Sequence, residues 1–323
     1  SFPWIVGIII METEELQNND FVSTAVVQPN IHLSEKWEDS LKIQHVNTLI
    51  ELSTPSMKEN IDLIVWPETA LPVYLLKSGR RYLRNIREEL KNSPSKILTG
   101  IPHYDYIDKE YLSYNSVVMF DRTELFGIYK KIQLVPMAEY VPLSGVFPSL
   151  SDLNFGQANF IRGKEYTLYP LKEWSFGAVI CFESTLPKLI RQFVLEGANF
   201  ITIVVNDGWY ETAPEPQQHS RQAIFRAIEN RRPVIRCANT GISMIIDPLG
   251  NIKDMSELNA QIVLNSSVYP QTKKTFYTRF GDVFAGILIL ILLIRILIIL
   301  RKNYTDEKNY SNSTIRINNP SGE

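Results

Sequence analysis

Cysteine is nearly absent: 323 residues contain only Cys181 and Cys237. A disulfide framework and a Cys-rich zinc site are therefore excluded. Histidine is also scarce, and the 4 present fall in no H-x-x-x-H or H-E-x-x-H spacing, which argues against a metal hydrolase. An excess of one charge is missing too. Lys and Arg number 33 against 35 Asp and Glu, a net charge of -2, and they are scattered. A nucleic-acid partner would need a concentrated basic face. No repeat of fixed period occurs. No basic segment precedes the apolar opening stretch SFPWIVGIII, so it does not read as a signal peptide.

What is present suits a buried core. Hydrophobic residues make up 45% and aromatics 11% of the chain, enough for one large domain or two ordinary ones. The stretch from Val283 to Leu300 is apolar apart from Arg295. As a helix it spans ~27 Å, close to the ~30 Å hydrocarbon core. A central arginine costs about 3 kcal/mol on the insertion scale, less than the many Leu and Ile contribute, and Arg295 lies off-centre where it can snorkel. A transmembrane helix is predicted there. The opening stretch is too short to span and stops at Glu12, Glu14 and Glu15. It reads as the tail end of a membrane helix, with a buried strand as the alternative.

Between these ends, short apolar or β-branched runs bounded by Gly, Pro, Asn or Asp alternate with helical patterns. Strands are predicted at Ser23–Val27, Leu63–Trp66, Ile97–Gly100, Ser116–Phe120, Gly177–Ile180, Phe200–Val205, Val234–Cys237 and Ser243–Ile246. Helices are predicted at Leu41–Leu52 and at Gln217–Arg231, the latter closed by Pro233. Alternating strand and helix implies an α/β layered domain. The expected organisation is a membrane-helix end and linker over 1–20 and a catalytic domain over 21–270. A connector with the transmembrane helix follows over 271–301, then a disordered tail over 302–323, rich in Asn, Ser, Lys and Glu.

Three segments each place a reactive side chain at a strand end. In Leu63-Ile-Val-Trp-Pro-Glu68 a hydrophobic strand runs into a carboxylate stiffened by Pro67 and Pro72. In Tyr129-Lys-Lys131-Ile-Gln-Leu-Val-Pro-Met-Ala-Glu139 basic and acidic residues interrupt an apolar stretch. In Phe176-Gly-Ala-Val-Ile-Cys181-Phe-Glu183 a strand delivers a cysteine to its C-terminal end, where α/β enzymes hold their sites. Taken singly, these are as readily a solvated loop acid, a surface ion pair and a small buried hydrophobe.

Together they resemble the nitrilase superfamily, in particular its branch that N-acylates bacterial lipoproteins, over Phe21 to Gly281. Asn206-Asp-Gly-Trp209, Arg226–Pro233 and Asn239–Ser243 share that likeness, and so does the pair Lys36-Trp37. The resemblance implies an αββα sandwich followed by the transmembrane helix. It makes Glu68 the base, Lys131 the oxyanion partner and Cys181 the nucleophile, supported by Glu139, Glu183 and the backbone of Phe182. Trp37 and Trp209 become substrate-binding residues. It further implies transfer of an acyl chain from a phospholipid to the amine of a diacylglyceryl-cysteine lipoprotein through a thioester, with no cofactor. The catalytic domain would lie on the extracytoplasmic side of the bacterial cytoplasmic membrane. The alternative is a tethered amidase acting on a small amide. Family members carry several membrane helices upstream, so this chain is expected to be a piece of a longer protein. Phe182 stands where the family has Tyr, Ala138 where Gly is common, and Tyr210-Glu211 where Phe-Gly is usual.

The triad has a physical rationale. A free thiol has a pKa of ~8.5 and a free Glu ~4.3, so the base is nominally too weak. An ammonium ~4 Å from the sulfur, at an effective dielectric of 20, offsets about 4 kcal/mol of that gap. Burial of Glu68 would close the rest by raising its own pKa.

Overall fold

A computed structural model describes residues 2–13, 16, 20–141, 159–209 and 214–317. Two compact units are present, one up to Arg279 and one from Phe280.

The first unit opens with a helix, α1 (Phe2–Thr13), rather than a strand; its Ile5, Ile8, Ile9 and Met11 are exposed. Two six-stranded sheets follow. The first comprises β1 (Val22–Gln28), β2 (Leu63–Val65), β3 (Lys96–Ile107), β4 (Glu110–Phe120), β5 (Leu125–Lys130) and β12 (Ile262–Val268), in the order β12-β1-β2-β3-β4-β5. The second comprises β6 (Leu168–Leu171), β7 (Trp174–Ile180), β8 (Phe200–Val205), β9 (Val234–Ala238), β10 (Met244–Ile246) and β11 (Ile252–Met255), in the order β11-β10-β9-β8-β7-β6. The middle strands β1-β2-β3 and β7-β8-β9 run parallel, and the flanking strands pair antiparallel.

Period-two alternation makes both faces of the first sheet apolar, as a strand buried on both sides requires. Val22 and Val26 of β1, with Leu63, Val65, Leu98, Val117 and Met119, face Phe176, Ala178, Ile180, Phe200 and Val204 of the second sheet. Ala25 and Val27, with Ile64, Trp66, Ile97, Val118 and Phe120, instead meet α3 (Lys42–Lys58) and α4 (Arg80–Glu89) through Val46, Leu49, Tyr82 and Ile86. The short α2 (Leu33–Lys36) precedes α3. On the far side, α5 (Pro187–Glu196) and α6 (Glu215–Asn230) cover the second sheet. Pro187 opens α5, where a missing N–H costs nothing. Arg231 closes α6 in the left-handed region at φ 49°. The layers are helix, sheet, sheet, helix, which is the expected αββα sandwich.

The short α7 (Phe276–Phe280) leads to α8 (Val283–Ile317). Val283–Thr305 of α8 is long and apolar enough to cross a membrane, and its Leu and Ile side chains are exposed all round. From 302 onward, where disorder is expected from composition, α8 continues to Ile317. Extending an existing helix fixes one residue per new hydrogen bond, whereas starting one fixes several, so polar residues are carried along. Residues 318–323 lie outside the described residues.

Candidate active site

Glu68, Lys131 and Cys181 stand just beyond the ends of β2, β5 and β7 and line one cavity of about 970 Å³. The turn carrying Glu68 is set by contact with β3. Trp66 N–H donates to Leu98 O at 2.8 Å and Gly100 N–H to Pro67 O at 3.1 Å, while Thr69 sits at φ 47°. Only glycine fits opposite, because a Cβ at Gly100 would lie 2.5 Å from Thr69 N and 2.6 Å from Glu68 Cα. Gly100→Ala is expected to push the Glu68 turn off β3 and cut turnover by about 10²-fold, the usual penalty for a ~1 Å misplacement. Steady-state kinetics of a variant that still folds, judged by its melting curve, checks this.

Lys131 is buried and sits between two carboxylates. Its Nζ is 2.8 Å from Glu139 Oε2 and 3.9 Å from Glu68 Oε1. Asn115, midway along β4, donates Nδ2 to Glu68 Oε1 at 2.8 Å and to Glu139 Oε1 at 3.0 Å. Glu139 Oε2 also accepts the Val135 N–H at 2.9 Å. Burial alone would lower the Lys131 pKa, but Glu68 and Glu139 outweigh it and hold the ammonium well above its ordinary value. Burial raises Glu68 above the usual carboxylate range, Lys131 pulls it down, and the neighbouring charge of Glu139 adds to the rise.

Cys181 is half-buried and begins the short turn Cys181–Thr185. Its thiol rests higher, not lower, than a free one. Burial and the Glu68 carboxylate push it well up, and Lys131 offsets only part of this. The ammonium alone therefore does not bring the thiol below its ordinary value. Glu183, two residues on, is fully buried and ties the segments together. It accepts the Ile180 N–H at 2.9 Å through Oε2. Through Oε1 it accepts the Tyr129 hydroxyl at 2.7 Å and the N–H groups of Ile132 and Gln133 at 2.7 and 2.9 Å. One carboxylate thus joins the Cys181 turn to the Tyr129 side chain before Lys131 and to the backbone after it. Burial raises its pKa despite Lys131 and these bonds, which lower it.

Phe182 and Ala138 line the same cavity, as do Trp37 and Trp209, which are 40% and 52% exposed and so stand at its edge. Tyr210-Glu211 lies outside the described residues. Cys237 is buried elsewhere, its Sγ donating to Val27 O and Val65 O at 3.3 Å. Sequence reasoning missed Asn115 and gave no role to Lys36, which is buried against the Glu68 turn and donates to Glu68 O at 2.9 Å. Burial lowers the Lys36 pKa to about 8, against the pull of Glu68. The available signal for Asn115 was an amide between Tyr114 and Ser116, just before a predicted strand.

A family model described as carbon-nitrogen hydrolase matches residues 23–268, and the chain belongs to that family. Solved structures with the same fold include Nit3 from Saccharomyces cerevisiae, a nitrilase-superfamily member (TM-score 0.57, 18% identity, 79% of this chain and 93% of that one). A carbon-nitrogen hydrolase from Helicobacter pylori G27 is another (TM-score 0.59, 15% identity, 77% and 89%). Among curated proteins the chain is similar to apolipoprotein N-acyltransferase from Geobacter metallireducens, 35% identical over 264 residues, 81% of this chain and 50% of the relative. It is likewise similar to that of Chlorobaculum tepidum, 33% identical over 305 residues, 85% and 57%. The chain spans about half the length of these relatives.

Proposed function

We propose that the chain is the catalytic part of an N-acyltransferase that moves an acyl chain from a phospholipid to the α-amine of a diacylglyceryl-cysteine lipoprotein, using Glu68, Lys131 and Cys181. The observation that carries the reading is the placement of base, ammonium and thiol around one mostly apolar cavity. Its volume of about 970 Å³ lies at the upper end of ligand pockets, as a long chain requires. The curated relatives, named for acyl transfer, and the helix Val283–Thr305 support it over hydrolysis of a small amide.

In the first half-reaction Cys181 Sγ attacks the ester carbonyl while Glu68 takes the thiol proton. The oxyanion is met by Lys131 and the Phe182 N–H. The C–O bond then breaks, the leaving lysophospholipid oxygen takes the proton from Glu68, and a thioester remains on Cys181. In the second, the lipoprotein amine attacks the thioester, Glu68 accepts the amine proton, the C–S bond breaks and the sulfur regains a proton. Glu139 holds Lys131 in place, and Glu183 keeps it beside the nucleophile. Trp37 and Trp209 contact the lipid substrates at the cavity edge. This work is set at the extracytoplasmic face of a bacterial cytoplasmic membrane, where both substrates reside.

The deciding experiment is intact-mass analysis after incubation with phospholipid. One acyl chain on Cys181, discharged by a diacylglyceryl-cysteine peptide, is the expected result. Release of free fatty acid with no transfer would defeat the reading.

A pH dependence follows. Glu68 must be ionised to act as base, and burial raises its pKa. The rate of thioester formation should therefore fall as pH drops through that raised value, at a pH above the ~4.3 of a free glutamate. Removing the positive charge of Lys36, which helps keep Glu68 ionised, should move this acid limb to higher pH in Lys36→Met. A pre-steady-state pH profile of both proteins checks the sign.

A further inference from the structure

A second polar cluster touches the nucleophile's backbone and has no part in the chemistry above. Arg236 of β9 is fully buried and donates Nη2 to Asp207 Oδ2 at 2.8 Å. The other oxygen of Asp207 lies 2.8 Å from Nδ1 of His219, which projects from α6. Nε2 of the same imidazole lies 3.1 Å from Ser184 Oγ and 3.3 Å from the carbonyl oxygen of Cys181. Ser184 Oγ in turn donates to that carbonyl at 2.8 Å. Asp207 is packed in place, because a Cβ at Gly241 would meet its Oδ2 at 2.4 Å. Contact therefore runs unbroken from the second sheet to one backbone oxygen.

That oxygen matters because of where it sits. Cys181 has φ 51°, a left-handed conformation that an L-residue with a Cβ holds only when its surroundings impose it. Its carbonyl also shares a planar trans peptide with the Phe182 N–H, so the two point in opposite directions. Fixing the oxygen toward Ser184 and His219 turns the N–H away from them. Phe182 lines the cavity, and so does His219, which reaches the carbonyl side of the same peptide.

We propose that Asp207 and His219, acting through Ser184, are positioning residues that hold the Cys181–Phe182 peptide plane so that the Phe182 N–H meets the oxyanion. The inference rests on the reading of Cys181 as the acylated nucleophile. It assigns the pair an effect on the oxyanion and none on the sulfur's own reactivity.

Two reactions of the same thiol separate these effects. Iodoacetamide alkylates sulfur by displacement at a tetrahedral carbon and forms no oxyanion, whereas a p-nitrophenyl ester acylates it through one. Both rates would be measured on the full chain in detergent micelles for wild type, His219→Ala, His219→Gln and Ser184→Ala. In His219→Ala the kcat of acylation should fall about 10²-fold, with KM and the alkylation rate within about 3-fold of wild type. His219→Gln, which keeps an amide donor, should recover much of the loss. Ser184→Ala, a milder change, should show the same selective loss at about 10-fold.

Equal loss in both reactions would show that the cluster merely supports the fold or tunes the thiol, and would overturn the proposal. So would unchanged acylation, or a loss confined to KM. A wild-type thiol that is alkylated but never acylated would sink the acyl-transfer reading itself, and this inference with it. Selective loss of acylation alongside failure of phospholipid transfer would sink only the choice of substrate.

Discussion

Lys131→Met is expected to slow acylation of Cys181 by about 10³-fold or more and to destabilise the domain by about 3–5 kcal/mol. Both losses come from the same contacts. The Lys131 side chain is 1% exposed and its Nζ lies within 4 Å of Glu68 and Glu139, so its removal leaves two neighbouring carboxylates whose remaining hydrogen bonds, among the described residues, come from Asn115 and the Val135 N–H. Buried like charges take up protons instead of staying ionised. Glu68 would then be driven further toward its protonated form, which cannot accept the thiol proton, and the developing oxyanion would lose its nearest cation. The variant's residual activity should rise with pH as Glu68 ionises, its acid limb lying above that of wild type. Quenched-flow mass analysis and a denaturation curve measure the two losses. A Lys131→Met protein that acylates within tenfold of wild type would remove lysine from the mechanism. Lys131→Arg should also fail, since a planar fork cannot replace a compact ammonium held between two carboxylates.

The central strands were legible because each is an apolar or β-branched run cut off by Pro, Gly, Asn or Asp, as at Val65-Trp66-Pro67. Strands β5, β6, β11 and β12 were not. In β11 and β12 polar residues break the apolar run, as in Ile252-Lys-Asp-Met255, whereas β5 and β6 are short apolar runs interrupted by Gly127 and Pro170. All four lie outermost in their sheets, held by pairing to a neighbour that no local pattern reveals. The hairpin of β3 and β4 runs past its apolar part for the same reason, pairing Ile107 with Glu110 at its tip.

The site divided along similar lines. Glu68, Lys131, Glu139, Cys181 and Glu183 were legible as residues because they stand in compact motifs, but nothing in their spacing states that Glu183 accepts hydrogen bonds from both sides of Lys131. Asn115 and His219 belong to other strands and helices and enter only through folding. Asp207 lies in a motif that drew notice for Trp209, yet its partners are Arg236 and His219. The thiol's electrostatics also ran against simple expectation. A single ion pair argued for a lowered pKa, whereas burial together with Glu68 decided the direction.

Cys181→Ser should abolish acyl-enzyme formation, a loss of at least about 10⁴-fold, while leaving the fold intact. Replacing sulfur by oxygen removes one soft, polarizable atom from a half-buried position and keeps the backbone contacts of Ser184 and Glu183. Stability should therefore change by less than about 1 kcal/mol. The chemical loss is large because a carboxylate, even one raised by burial, is far too weak a base for a hydroxyl, and a hydroxyl is a much poorer nucleophile than a thiol at neutral pH. Serine hydrolases meet that need with a histidine. Here His219 lines the same cavity, but its Nε2 is turned to Ser184 Oγ and the Cys181 carbonyl oxygen at 3.1 and 3.3 Å, so it is not in place to serve as the hydroxyl's base. Cys237 supplies the control. It is fully buried and burial raises its thiol pKa above the ordinary value, so Cys237→Ala should keep full acylation. A thioester that survives Cys181→Ser, or disappears with Cys237→Ala while the fold is retained, would place the nucleophile elsewhere. The cavity between Glu68 and Lys131 would then need another explanation.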